Sequence, residues 1–121
     1  ETVMGTTQQV ILTTTVTASA ALTQQRFVGA DNAPCHAGAV ALGVAEVDAA
    51  AGDVTSVNVL GIVAVEAGAA VSRGQIVQSD ANACAVPQVP AAGETPAGIS
   101  AGIALDEALA EGDVIRILRG V

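Results

Sequence analysis

The chain has 121 residues, a formal net charge of −8 and no lysine, and 51% of its residues are hydrophobic. This length predicts a single domain, and because an acidic surface repels phosphate, nucleic-acid binding is disfavoured. The apolar content is almost entirely aliphatic, since Phe27 is the single aromatic residue. Alanine contributes little buried area, so we expect a thin core that gains from burial against other chains, as in a homo-oligomer or an assembly subunit.

The first predicted element is an uncharged segment that favours β-structure. No charged residue occurs between Thr2 and Gln25, and residues 9–17 are rich in β-branched side chains, which predicts a strand. Such a strand aggregates unless it is paired. It is therefore either an ordinary first strand or an arm that adds to the edge of a partner's sheet.

We accordingly divide the chain into an N-terminal arm or first strand, residues 1–26, and a body, residues 27–121. Phe27 is expected to anchor the core or an interface. The candidate partner-binding residues are Val10, Ile11, Leu12, Thr13, Thr14, Thr15, Val16 and Phe27.

The body contains one phrase twice. Gly43-Val44-Ala45 precedes an Ala-rich acidic stretch and Gly52-Asp53-Val54, and Gly102-Ile103-Ala104 precedes a similar stretch and Gly112-Asp113-Val114. Each copy predicts a strand, a solvated connection and a second strand, which together form a hairpin. The return strand of the first copy, residues 54–65, contains Gly61, which predicts a bulge or bend.

The remaining segments are short. A turn is predicted at residues 31–34, and a compact loop over residues 66–77 leads to another strand. A turn at 80–83 and a short strand at 84–86 follow, and an irregular loop then carries Pro87, Pro90, Gly93 and Pro96. Residues 106–110 favour one helical turn. About eight short strands predict an all-β fold, either a small β-barrel or a compact sandwich, with an extended N-terminal arm. The chain contains no stretch of 18 apolar residues, so no membrane span is predicted. Ala18-Ser19-Ala20 faintly resembles a signal-peptidase site, but no basic residue precedes it, so we expect no signal peptide.

Few residues suggest chemistry. The neighbouring Cys35 and His36 could form a nucleophile and base, but adjacent side chains of an extended segment point to opposite faces. The acidic groups at 106–107 and 111–113 lie at connections, where solvation explains them. Without lysine there is no G-x-x-x-x-G-K-[ST] phosphate loop. We expect no catalytic residue, no metal and no cofactor; an enzyme using Cys35 and His36 is a minor alternative.

Two resemblances follow from these motifs. Residues 65–77 are similar to the V-x-x-G-x-x-V-x-x-G-Q-x-[VIL] loop of biotinyl and lipoyl carrier domains, which implies a small β-barrel but not their function, since they modify a lysine. From Phe27 to Arg119, the order of Phe27-Val28-Gly29, both copies of the repeated phrase, Leu60-Gly61-Ile62-Val63 and Ala97-Gly98-Ile99 resembles the small capsid decoration (cement) proteins of tailed phages.

The second resemblance implies a structural virion protein. Such a protein would be made in the host cytoplasm and would assemble, as a trimer, on the outer surface of a phage head. There it would bind the major capsid protein and cement neighbouring capsid subunits against the pressure of packaged DNA, without nucleic-acid or membrane partners. Members of this family have often been labelled recombinases, which the missing lysine and phosphate loop contradict. The alternative function is a free-standing, oligomeric ligand-binding or carrier-like β-barrel.

Overall fold

Eight antiparallel strands are formed by the residues that the computed structural model describes, 7–88 and 98–120. They are β1 (Gln9–Thr17), β2 (Phe27–Gly29), β3 (Ala41–Ala45), β4 (Val54–Glu66), β5 (Ile76–Ser79), β6 (Ala85–Pro87), β7 (Gly102–Ala104) and β8 (Val114–Arg119). Their order in the sheet is β2-β3-β4-β8-β7-β5-β6, and β1 pairs separately with β4. The N–H of Phe27 donates to the carbonyl of Ala83, 2.8 Å away, just before β6. The two ends of the sheet therefore approach each other, and the predicted all-β fold is confirmed as a nearly closed barrel.

One local prediction was wrong, because residues 106–110 form no helical turn. Ala108 instead exchanges both backbone hydrogen bonds with Val71, at 2.8 and 2.9 Å. The carboxylate of Asp113 accepts from the N–H groups of Leu109 and Ala110, at 2.9 and 3.3 Å. Backbone groups that a helix would pair internally are thus used by neighbouring segments. The loop predicted around Pro90, Gly93 and Pro96 lies outside the described residues.

Both copies of the repeated phrase form the predicted hairpins, and their turns are held in the same way. Gly52 and Gly112 occupy equivalent turn positions with φ angles of 91° and 96°. The N–H of Gly52 donates to the carbonyl of Ala18 at 2.7 Å, and that of Gly112 donates to the carbonyl of Ala67 at 2.8 Å. The turn of each hairpin is therefore held by the backbone carbonyl of an equivalent alanine earlier in the chain.

The correspondence extends to whole strands. The ladder between β1 and β4 is matched by the ladder between β4 and β8, and the pairing of β2 with β3 is matched by that of β5 with β7. An isolated bridge joins Leu22 to Ala49, and its counterpart joins Val71 to Ala108. The chain thus consists of a first half, residues 9–60, and a second half, residues 61–119, with the same arrangement of strands.

The buried residues form two clusters that reflect this duplication. The small core contains Ala18, Leu22, Val28, Ala45 and Val57, all from the first half. In the order of the chain, their counterparts in the second half are Ala67, Val71, Val77, Ala104 and Ile117, and all five belong to the other cluster, the main core. Phe27 and Val44 of the first half also belong to the main core. The first half therefore packs a second face against the second half.

Arg119 joins the two halves where their strands diverge. Because β1 runs along one edge of β4, β3 and β8 share the other edge. The guanidinium of Arg119 donates to the carbonyls of Val59 at 2.8 Å, Ala101 at 2.6 Å, Ala41 at 2.9 Å and Leu42 at 3.2 Å. Burial lowers the pKa of Arg119 from its usual range, so these carbonyl dipoles hold its charge in place of solvent.

Replacing Arg119 with methionine should lower the free energy of unfolding by about 2–4 kcal/mol, because hydrogen bonds to charged groups are strong and the abandoned carbonyls stay partly buried. Urea unfolding followed by circular dichroism at constant protein concentration measures this loss. Arg73→Met, at an exposed arginine, is the matched control and should change stability by less than about 0.5 kcal/mol. Equal losses in the two variants would show that the carbonyl contacts contribute little.

Candidate partner-binding surface

The predicted strand at residues 9–17 forms β1, which is held against β4 by a register with two compensating irregularities. Ile11 is the extra residue on β1, between the pairs Val10↔Gly61 and Leu12↔Leu60. Val59 is the extra residue on β4, before the next pair. Because one bulge lies on each strand, the register recovers and pairing continues to Thr17↔Val54.

Gly61 is what allows β1 to approach β4 so closely. Its φ angle is 106°, a left-handed conformation that favours glycine. A Cβ at this position would meet the carbonyl oxygen of Gln9 and the backbone nitrogen of Ile11. Gly61, which the sequence predicts to mark a bulge or bend, therefore also allows the candidate binding strand to pack closely against β4.

The side chains of β1 are largely accessible. Ile11 is 81% exposed and Leu12 is 46% exposed. The other candidates on this strand are Thr13 and Thr15, which are exposed, and Val10, Thr14 and Val16, which are half-buried. The hydroxyl of Thr13 donates to the amide oxygen of Asn58 at 3.0 Å. Large apolar and β-branched side chains are thus presented to solvent along one strand.

Within the described residues, the outer edge of β1 pairs with no strand. In residues 7–88 and 98–120, β4 is the only strand that pairs with β1. Edge strands are usually protected by charged side chains or proline, and β1 contains neither; its one protective feature is the bulge at Ile11. This edge can accept a strand from a partner by backbone hydrogen bonding.

Phe27 lies elsewhere. Its side chain is 1% exposed and belongs to the main core, one of the two places that the sequence left open. The accessible candidates are therefore those of β1.

A second apolar surface was not predicted from the sequence. Four outward-facing aliphatic side chains lie side by side on β4, β8, β7 and β5, through the pairs Ile62↔Leu118, Leu118↔Ile103 and Ile103↔Ile76. We call these four residues the outer row. Each residue of the outer row is next in sequence to a main-core residue, as Ile76 is to Val77. The sequence feature that could have predicted this surface is therefore a set of strands that are apolar on both faces.

Of the residues that suggested chemistry, the two cysteines are buried and His36 is exposed. The Sγ atom of Cys35 lies 3.5 Å from the carbonyl oxygens of both His36 and Ala39. Burial raises the pKa of the Cys35 thiol, and burial raises the pKa of Cys84 to about 11. Both cysteines are free and buried. Since a nucleophilic cysteine needs a lowered pKa, neither thiol is activated.

The acidic groups hold turns. Asp53 accepts from the N–H of Ala50 at 2.9 Å, as Asp113 accepts from its own turn. The guanidinium of Arg116 lies 2.8 Å from the carboxylate of Asp106 and lowers the pKa of Asp106. No group of three or more His, Cys, Asp or Glu residues that could hold a metal occurs in the part of the chain that the structure describes.

The described residues thus form an all-β body in which β1 pairs with one strand and the outer row is partly accessible. A family model described as phage cement protein matches residues 6–119, and the chain belongs to this family. It is thus a structural component of a phage virion. No curated protein matches it.

Among solved structures, the chain is similar to the N base of the head fiber protein gp8.5 of bacteriophage phi29. The TM-score is 0.69 at 22% sequence identity, over 88% of this chain and 92% of that chain. At this identity the likeness shows the fold alone. Within the described residues, no helix is long and apolar enough to cross a membrane.

Gly61→Ala should loosen β1, because the added Cβ meets the backbone of β1 and the backbone conformation disfavours alanine. Gly52→Ala is the matched control: its φ angle is also positive, at 91°, but nothing lies within 4 Å of its added Cβ. We expect Gly61→Ala to cost about 1–3 kcal/mol more than the control, the cost of overpacking. Urea unfolding measures the difference, and equal costs would contradict the close seating of β1.

The buried thiols should react slowly. At pH 8, alkylation of Cys84 by iodoacetamide should require unfolding, because its pKa of about 11 keeps the folded thiol protonated. The unfolded pKa is about 8.5, so this thiol's contribution to stability is full below that pH and is lost as the pH rises towards about 11. Mass spectrometry of the alkylated protein with and without urea measures the rates. Rapid labelling of the folded chain at pH 8 would contradict the buried, unactivated state.

Proposed function

We propose that this protein decorates the outer surface of the phage head as a homo-oligomer, a trimer, and cements neighbouring subunits of the major capsid protein against internal DNA pressure. The open, uncharged edge of β1 is the observation that carries this proposal. Family membership supports the general role.

The binding step is edge addition. An extended segment of the capsid protein pairs with the outer edge of β1, and backbone hydrogen bonds supply the common part of the affinity. The exposed side chains of Ile11 and Leu12 add apolar area beside the new strand. Because β1 carries no charge, the partner strand needs no opposite charge to enter.

The charge of the chain favours the outer surface of the head. With a formal net charge of −8, the protein is repelled by the phosphate backbone of the packaged DNA. Bound on the outside, it stabilises the assembled shell by mass action, since it binds the assembled capsid and not the separated subunits.

The alternative of a free-standing ligand-binding barrel has less support. The interior of the barrel is filled by the main core, including Phe27, Ile115 and Ile117, each at most 1% exposed. Small barrels filled in this way hold side chains rather than a ligand.

Introducing charge on β1 tests the proposal. The double variant Ile11→Lys and Thr15→Lys places two protective lysines on an exposed edge strand, so it should still fold but bind undecorated capsids about tenfold more weakly or worse. Co-sedimentation with capsids that lack this protein measures affinity, and the temperature of head rupture measures cementing.

The matched control is Leu109→Lys, at an exposed leucine in the connection before β8. It should bind and protect capsids like the unmodified chain. The proposal fails if the unmodified chain neither sediments with capsids nor raises their rupture temperature. The role of β1 fails if the double variant binds as well as the control.

A further inference from the structure

Two residues of the outer row, Ile76 and Ile103, occupy the positions of buried residues in the first half. Ile76 corresponds to Phe27 and Ile103 to Val44, because β5 pairs with β7 as β2 pairs with β3. Phe27 and Val44 are each 1% exposed, whereas Ile76 is 45% exposed and Ile103 is half-buried. Within the described residues, these two positions are therefore covered in the first half and partly accessible in the second.

Phe27 and Val44 are covered by the second half of the chain itself. Phe27 and Val44 enter the main core, whose other members include Val63, Val65 and Ile115. The chain thus already contains one contact in which the back of one half packs on the front of the next. This contact is head-to-tail, since different faces of two equivalent units meet.

The complementary front face of the first half is partly accessible as well. Val16 and Leu42 are half-buried and pack against the small core. Their counterparts in the second half, Val65 and Ala101, are 0% and 5% exposed. Thr55, which pairs with Val16, has a buried hydroxyl without a hydrogen-bond partner in the described residues. We call Val16, Leu42 and Val59, which all pack against the small core, the front face.

We propose that the outer row of one copy docks on the front face of a second copy, repeating between chains the contact that the two halves make within one chain. None of the residues that define the two surfaces is charged, and the charged residue that lines a pocket with Ile76, Ile103 and Leu118 is the cation Arg119. Two copies of charge −8 can therefore meet there with less repulsion than at their acidic connections. A head-to-tail contact uses one surface from each copy and generates a closed ring when its rotation closes. The inference rests on the homo-oligomer of the proposed function but not on capsid binding.

Charge substitutions on each surface test this docking. Ile76→Glu with Ile103→Glu blocks the outer row, and Leu42→Glu blocks the front face. Analytical ultracentrifugation is carried out at about 100 µM chain, a concentration that populates contacts with dissociation constants somewhat above the micromolar range. The unmodified chain should form an oligomer, and each variant should be a monomer. Leu109→Glu, at an exposed leucine outside both surfaces, is the control and should assemble normally.

Mixing the two blocked variants gives the most specific result. One keeps an intact front face and the other keeps an intact outer row, so the mixture should form a one-to-one heterodimer and no larger species. If Leu42→Glu lowers the melting temperature, Leu42→Ala replaces it, and a weakened oligomer is expected.

Three outcomes would overturn the inference: a monomeric unmodified chain, an outer-row variant that assembles like the control, or a mixture without heterodimer. A fourth outcome, a front-face variant that assembles like the control, would also overturn it and would indicate a symmetric contact of the outer row with itself. Failure here is distinguishable from failure of the proposed function, because the lysine variant of β1 should keep the ring and lose only capsid binding.

Discussion

The structure depends on one strand that both halves share. β4 has 13 residues; its first part pairs with β1 and its last part pairs with β8. Gly61, with its positive φ angle, lies where the pairing of β4 passes from the first half to the second. Arg119 then secures the point where β3 and β8 leave the same edge of β4, through carbonyls of both halves. Two halves that did not share β4 would each need a separate strand, and the chain would have to be longer.

The thin core follows from the same sharing. Alanine and valine dominate both clusters, and small side chains let the two halves approach closely, but each contributes little buried area. The first half compensates by packing a second face, with Phe27, on the second half. No equivalent cover exists within the described residues for the second half, so its outer row keeps aliphatic area exposed. In the described residues, apolar area therefore stays accessible on both the outer row and the front face.

Part of this organisation could be predicted from the sequence, and the reason is local. The Gly-Asp-Val corners and the β-branched run of β1 determine backbone conformation within a few residues, so both hairpins and the first strand were predictable. The duplication of the two whole halves could not be predicted from the repeated phrase alone. The offset between equivalent residues grows from 49 at Ala18 and Ala67 to 60 at Gly52 and Gly112, so no constant repeat length relates the halves. Nor could the sequence separate Phe27 from Ile76, since topology, not side-chain chemistry, decides which of the two is covered. The helical turn at residues 106–110 failed because pairing with Val71 outweighed local propensity.

The three surfaces are compatible with one another, and this bears on how a small protein can act as cement. A partner strand adds to β1 in the plane of the sheet, whereas the front face and the outer row dock perpendicular to it, so β1 can take part in both contacts. In the proposed function, a single copy holds one capsid subunit at the outer edge of β1. Cementing requires at least two such edges in one rigid body, and head-to-tail docking supplies them at a fixed spacing. Linked edges then bind neighbouring subunits with the high effective concentration of a multivalent ligand, which a monomer with the same edge could not reach.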